Sequence, residues 1–407
     1  LDNDRIYPPL AILYLKSYIN KHHPDVQVVI QDDYELEDFE KELEYDLVGI
    51  SVMTPQRSEA MEVLTRIQKY SPKTKVAIGG PHAKHYFKEV LTESWDYVVS
   101  GDGELAFDQI IAGTSPRHSN LSLTPEQYKL LPAPDRTSRE AREMLAKYNY
   151  ELKGRKSTTM MTARGCPFLC EFCEDASVKV RSTPIENIIQ QLDEIKELGY
   201  SGVYIFDDTF AINVKLCMPI ITELKKRDII FRCNGQARTF SKAGEEFSKA
   251  LAEHGCVEIA FGFETGSQKI LDNIRKMTSV EDNYTSAKYA KKYGIYVKAF
   301  ILLGLPGEDW DTLKDTEKFI ATSECDDIQF AIYYPYLGTA IRAKIDRGDD
   351  IDLKFHGEGL GAYGQKGGNT ECVISTSALS SEDLLKFRDY LVTTYKPRSH
   401  KPKWDAP

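Results

Sequence analysis

The sequence predicts an α/β chain: a doubly wound parallel sheet (Rossmann-like) at the N-terminus, then a partial (β/α)6 barrel and a small C-terminal segment. Three observations lead there. Short apolar runs recur along the 407 residues with amphipathic stretches between them, the pattern of parallel strands joined by helices. The runs fall into two blocks, on either side of a polar, turn-rich stretch at 114–120 and a proline-marked, charged region at 132–156. Apolar residues make up 42% and charged residues 28%, a globular balance that fits neither wholesale disorder nor a low-complexity chain.

In the first block the runs 26–30, 47–52, 75–78 and 97–99 read as strands. Leu10, Leu13, Tyr14 and Ile19 fall at helical spacing, and 59–70 repeats the pattern, so both stretches should cover a sheet face. This block ends near Gly113, and 141–148 is a helix candidate in the connecting region. The second block holds six runs, 158–163, 203–206, 229–233, 257–263, 296–303 and 328–333, with room for helices between them, as at 185–198, 216–226 and 283–293. Six such units make an incomplete barrel. The tail from Arg342 is irregular and glycine-rich before a helical close at 382–395; in it His356, Tyr363 and Gln365 are candidates to cap the barrel mouth. The expected division is 1–125 sheet domain, 126–157 linker, 158–345 barrel and 346–407 C-terminal extension.

Lysine plus arginine is 52 against 62 aspartates and glutamates, a net charge of −10. That balance argues against a protein that coats nucleic acid or an anionic membrane, and favours a small-molecule substrate. No run approaches a membrane span, and Leu1 opens without a basic region and apolar core, so the expected location is the cytoplasm.

Five of eight cysteines, Cys217, Cys233, Cys256, Cys325 and Cys372, sit singly among apolar neighbours and read as buried small hydrophobes. The other three form Ala163-Arg-Gly-Cys-Pro-Phe-Leu-Cys-Glu-Phe-Cys173. Chance yields that spacing in roughly 3 chains per 1000. A structural zinc site is the competing reading, but it needs a fourth ligand, and none of suitable spacing follows nearby. Three thiolates hold three irons of a four-iron cluster and leave the fourth open to bind substrate. The run follows a predicted strand, which puts it at the C-terminal mouth of the barrel, where such folds keep their chemistry.

A Cys-x3-Cys-x2-Cys loop after the first barrel strand, with Phe172 before the last cysteine, resembles the signature of the radical S-adenosylmethionine superfamily. The resemblance implies a 4Fe-4S cluster on Cys166, Cys170 and Cys173, whose open iron chelates S-adenosylmethionine and whose electron cleaves it to a 5'-deoxyadenosyl radical. Tyr204-Ile-Phe-Asp-Asp-Thr-Phe210 is similar to the second strand and exit loop of members that also bind cobalamin. There Asp207 and Asp208 would border the reaction space, though paired Asp is also an ordinary cap or turn signal. Gly262-Phe-Glu-Thr-Gly-Ser267 resembles the segment whose Glu264 and Ser267 contact the ribose and methionine parts. Gly304-Leu-Pro-Gly-Glu308 resembles the glycine motif that lets backbone approach the adenine, with a generic glycine turn as the alternative, and Arg238 is a candidate either to neutralise a carboxylate or to sit at the surface.

Four N-terminal segments, Pro8 to Leu15, Gly49 to Thr54, Gly79 to His82 and Gly101 to Glu104, appear in the order typical of the cobalamin-dependent members of that family. Ser51, Thr54, Gly79, Gly80 and Gly101 would let a flat cofactor approach backbone at the strand ends; tight turns of a doubly wound sheet are the alternative. The Asp-x-His-x-x-Gly segment that carries a lower axial histidine is absent, so cobalt would lack a protein ligand. The resemblance implies a cobalamin-dependent methylase of an unactivated carbon, with Tyr204, Asp207, Asp208 and Arg238 lining the reaction space. Reduced flavodoxin or ferredoxin would be the electron donor. A radical oxidase, cyclase or rearranging enzyme of the same family is the alternative, and a noncatalytic iron-sulfur module a distant third.

Overall fold

The computed structural model describes residues 7–32, 35–357 and 371–395. The chain divides into two compact units, Leu1–Asn149 and Tyr150–Pro407.

The first unit is built on a parallel sheet in the order β1-β2-β3-β4, with β1 (Leu47–Ser51), β2 (Lys75–Gly79), β3 (Tyr97–Val99) and β4 (His118–Ser119). The register runs from Leu47 opposite Lys75 to Ser51 opposite Gly79, so the ends of β1 and β2 lie side by side. Helix α1 (Leu10–His22) starts directly after Pro9, because proline suits a helix start and cannot continue one backwards. Helix α2 (Arg57–Tyr70) buries Ala60, Val63, Leu64 and Ile67, a single stripe at helical spacing. Short α3 (Gly80–His85) follows β2, and α4 (Gly103–Ile111) follows β3.

Two expectations fail here. Residues 26–30 form no strand: Val29 stays 46% exposed, so the run gains neither a ladder nor a buried face. Strand β4 falls inside the polar stretch 114–120, pairing Val98 with His118 and Val99 with Ser119. Two polar residues carry no periodic signal, and the backbone ladder alone makes them a strand. The region after 123 packs onto this unit rather than bridging away from it. The Asp135 N–H donates to the Leu13 carbonyl at 3.1 Å, Lys16 reaches Glu140 at 3.1 Å, and Tyr18, Leu123, Tyr128 and Leu131 share a buried cluster.

The second unit is a seven-stranded sheet in the order β13-β12-β11-β10-β9-β6-β5. Its six parallel strands are β6 (Arg155–Met160), β9 (Gly202–Ile205), β10 (Ile230–Gly235), β11 (Cys256–Glu264), β12 (Tyr296–Leu303) and β13 (Asp327–Ile332), the six runs read from sequence. Edge strand β5 (Tyr150–Leu152) pairs antiparallel with β6. The short antiparallel pair β7 (Ala163–Arg164) and β8 (Arg181–Ser182) lies between β6 and β9. Helices α5 (Ile185–Glu197), α6 (Val214–Lys226), α7 (Glu245–Glu253), α8 (Val280–Lys292) and α9 (Trp310–Thr322) connect the strands. Alternate strand residues, among them Val203, Ile205, Phe231, Cys233, Ile259, Phe261, Val297 and Leu303, join one buried core with these helices. Tyr204, Arg232 and Glu258 therefore share the other face, in one register layer.

The C-terminal part adds the hairpin β14 (Lys354–Phe355) and β15 (Ile374–Ser375), then α10 (Ser381–Tyr395), whose Leu384 and Leu391 are buried. His356 Nε2 lies 2.8 Å from Ser375 Oγ, within that hairpin. Tyr363 and Gln365 lie outside the described residues.

Gly79 and Gly101 separate two reasons for a glycine at a strand end. A Cβ on Gly101 would collide with the Leu121 carbonyl, whereas one on Gly79 would meet nothing nearer than 3.9 Å. Gly101→Ala is expected to lower stability by about 2 kcal/mol and Gly79→Ala by much less, read from denaturant unfolding of the full chain. Equal losses in both variants would contradict this packing.

Candidate active site

The cysteine loop is a bridge between two barrel strands, and its backbone is gripped from one side. Where β6 ends, Thr162 and Ala163 donate their N–H groups to Asp207 Oδ1 at 2.6 and 3.1 Å, and the Thr162 hydroxyl donates to Asp207 Oδ2. Gly165 N–H donates to Asp208 Oδ2 at 2.7 Å. Both aspartates sit at the exit of β9, next to β6 in the sheet, so adjacent strand ends hold the loop's entrance. β7 and β8 then pair antiparallel and close its base. Inside it, Cys173 N–H donates to the Cys170 carbonyl at 3.1 Å and Ser177 N–H to the Phe168 carbonyl at 2.7 Å.

Asp207 is 3% exposed, and burial pushes its carboxyl up to about 7 against the donors that pull it down. The two aspartates thus use their oxygens on the loop backbone. Asp208 is exposed and Asp207 buried, so they are not an equivalent pair.

Cys170 is buried, and Cys166 and Cys173 are half-buried. Burial raises all three thiols, Cys173 to about 11, so the free thiols carry their protons. A basic group stands beside them. Lys276 Nζ bonds Glu264 Oε1 at 2.6 Å and lies 5.3 Å from the centre of the Phe172 ring. Glu264, 6% exposed, has φ +64° and ends β11 beyond a register shift at 262–264, a bulge that turns its side chain. Ser267 is 2% exposed and precedes a helical turn, yet its hydroxyl caps no N–H there. Lys276 was missed by sequence reasoning: Arg275-Lys276 reads as a solvated basic pair. No sequence signal marks its burial.

On the face of the sheet opposite the helix-covered core, Tyr204 donates its hydroxyl to Asn234 Oδ1 at 2.9 Å, and the Arg232 guanidinium lies 4.1 Å from the Tyr204 ring centre and 3.3 Å from Glu258. Arg232 and Glu258 were not singled out from sequence. Arg238 is half-buried and donates to the Met277 carbonyl at 2.8 Å, on the turn that carries Lys276. Gly304 has φ +84°, and the space a side chain there would need is filled by Ile374 and Leu384. Burial holds Glu308, at the end of the same motif, up at about 8.

In the first unit, Ser51 and Gly79 end adjacent strands, Thr54 opens a short turn after β1, and Gly80 opens α3. Gly101 is accounted for by the chain's own packing against Leu121.

The residues present fit the groups the family pattern calls for. Three thiols in one short loop are the donor set of a three-cysteine cluster, one thiolate per iron. Among the described residues no three Cys, His, Asp or Glu side chains converge as ligands of a single metal ion would. At the end of β2, Gly79 leaves the space a Cβ would fill, on the strand-end edge where doubly wound sheets bind ligands.

Residues 160–320 match the Radical SAM superfamily and residues 4–111 the B12 binding domain. An uncharacterized methyltransferase of Pyrococcus horikoshii is 28% identical over 82% of this chain and 77% of its own. The anaerobic magnesium-protoporphyrin IX monomethyl ester cyclase of Rubrivivax gelatinosus is 24% identical over 81% of this chain and 65% of its own. The radical S-adenosylmethionine methyltransferase TsrM of Kitasatospora setae, solved with cobalamin and a [4Fe-4S] cluster, shares the fold: its TM-score is 0.72 at 16% identity, over 86% of this chain and 78% of that one. Among the described residues no helix is long and apolar enough to cross a membrane.

Asp207 makes stability depend on pH in a defined direction. Its folded carboxyl keeps the proton up to about 7, against an ordinary value of 3.8. The unfolded chain releases that proton earlier, so the stabilisation is complete below about pH 4 and is lost as pH rises towards about 7. Across that window the unfolding midpoint in urea is expected to fall more in the wild type than in Asp207→Asn. Parallel profiles would contradict the assignment.

Proposed function

We propose, for a chain that belongs to the radical S-adenosylmethionine superfamily and carries a B12 binding domain ahead of it, that it methylates an unactivated carbon of a small substrate. The observation that carries this reading is the gripped loop of three thiols with a buried ammonium beside it, in a chain that also has the B12 binding domain. The methyltransferase name of the Pyrococcus relative supports it.

When bound, the cluster, S-adenosylmethionine and cobalamin supply the reductive cleavage and the methyl transfer. The chain's part is to position reactants and keep water out. Cys166, Cys170 and Cys173 would hold the cluster, and burial means their thiol protons must leave as it loads. Asp207 and Asp208 keep the loop in place by accepting its backbone N–H groups. Glu264 and Ser267, with Phe172, would serve S-adenosylmethionine; Ser51, Thr54, Gly79 and Gly80 would border the cobalamin, while Gly101 and Gly304 are glycine because the chain's own packing leaves no room for a side chain there. Tyr204 and Arg238, in the second unit, would line the substrate space. The net charge of −10 suits a small metabolite better than a nucleic acid. Reduced flavodoxin or ferredoxin is the proposed donor, and eight free thiols with an oxygen-labile cluster suit the cytoplasm.

A second reading, a radical cyclase or oxidase without methyl transfer, is favoured by the likeness to the Rubrivivax cyclase. One experiment separates them without knowledge of the substrate. Anaerobically reconstituted protein is loaded with hydroxocobalamin and given reductant and methyl-labelled S-adenosylmethionine. The methylase reading expects label in the corrinoid fraction together with S-adenosylhomocysteine. Accumulation of 5'-deoxyadenosine with no S-adenosylhomocysteine and no labelled corrinoid would favour the cyclase.

A further inference from the structure

Lys276 is 8% exposed and stands between two left-handed residues, Arg275 at φ 51° and Met277 at φ 56°. Neither is glycine, and backbone of this kind persists only where its surroundings hold it. Three contacts do. Glu171, between two residues of the cysteine loop, donates its N–H to the Ile274 carbonyl at 3.0 Å, and its carboxylate lies 3.8 Å from Arg275. From the other side, Arg238 donates to the Met277 carbonyl at 2.8 Å. The turn is therefore fastened to the cysteine loop and to the segment after β10, with Lys276 directed inward.

Its ammonium meets Glu264 at 2.6 Å and the face of Phe172. The sequence leaves room for that pair: a Cβ on Gly262 would run into Glu264 Oε1 and lie 3.2 Å from Lys276 Nζ. Burying a lysine is costly, and a carboxylate partner offsets the cost without giving the charge a purpose. The thiols supply one. The Phe172 ring beneath the ammonium sits in the cysteine loop between Cys170 and Cys173, and Glu171 beside it ties that loop to the turn carrying Lys276.

We propose that Lys276 is a positioning residue that acts as the fixed counter-charge of the thiolate-held cluster, setting its reduction potential while it holds Glu264 in place; this rests on the reading that the three thiols carry a cluster. Reduction adds one electron from an external donor to the cluster and breaks no bond. A positive charge fixed nearby in a poorly polarisable setting favours the more negative, reduced form. Lys276 thus makes the cluster easier to reduce, and Glu264 opposes it.

The test is an EPR-monitored redox titration of the full chain, reconstituted anaerobically with iron and sulfide, without S-adenosylmethionine. At the wild-type midpoint, Lys276→Met is expected to hold about tenfold less reduced relative to oxidised cluster, a midpoint lower by about 59 mV. Lys276→Arg keeps the wild-type midpoint, and Glu264→Gln raises it. A Lys276→Met midpoint equal to that of the wild type overturns the proposal. If that variant retains no cluster, Glu264→Gln decides: a raised midpoint supports the proposal and an unchanged one overturns it. A wild-type chain that takes up no iron and sulfide overturns the reading beneath, a failure visible before any variant is compared.

Discussion

The hold of two aspartates on the backbone of one loop is the constraint on which the rest of the site depends. A loop that presents three thiols to one cluster cannot rely on regular structure for its own backbone, so its N–H groups need acceptors from elsewhere. Asp207 and Asp208 supply them from the neighbouring strand end, and only a parallel sheet with β6 beside β9 brings those ends together. The barrel order therefore sets the geometry of the cysteine loop. Removing either the strand pairing or the carboxylates would leave the thiols without a common geometry.

The electrostatics around the loop follow from its burial. Desolvation alone favours neutral thiols and a neutral Asp207. Thiolate ligation of a cluster works against that tendency; backbone N–H groups of the loop favour negative charge at all three cysteines, and the Lys276 ammonium does so at Cys166 and Cys170. Glu264, bent out of strand geometry by the bulge, links this basic group to the segment that resembles an S-adenosylmethionine site. The cysteine loop and the segment proposed for the nucleotide are thereby joined through one short ion pair.

Much of this was legible in the sequence, for physical reasons that differ by element. The six barrel strands are buried on the helix side and carry apolar runs, so their positions stand out. The cysteine loop stands out because ligation needs fixed residue types at close spacing. The two-residue strand β4 was not legible, since His118 and Ser119 join the sheet through backbone alone. Residues 26–30 carried a strand's composition without a partner, and composition does not report pairing. Asp207 and Asp208 were found by resemblance, but their hold on Thr162, Ala163 and Gly165 crosses about 45 residues of chain and is visible only in three dimensions. Lys276 was hidden for the opposite reason: a lysine beside an arginine looks solvated until the backbone turns it inward.

The most direct measurement is EPR of the dithionite-reduced, anaerobically reconstituted chain, recorded before and after adding S-adenosylmethionine. An open iron held by Cys166, Cys170 and Cys173 predicts a cluster signal whose g-values and line shape change when the nucleotide binds. A protein without colour or acid-labile sulfide after reconstitution, or a cluster signal indifferent to S-adenosylmethionine, would contradict the account.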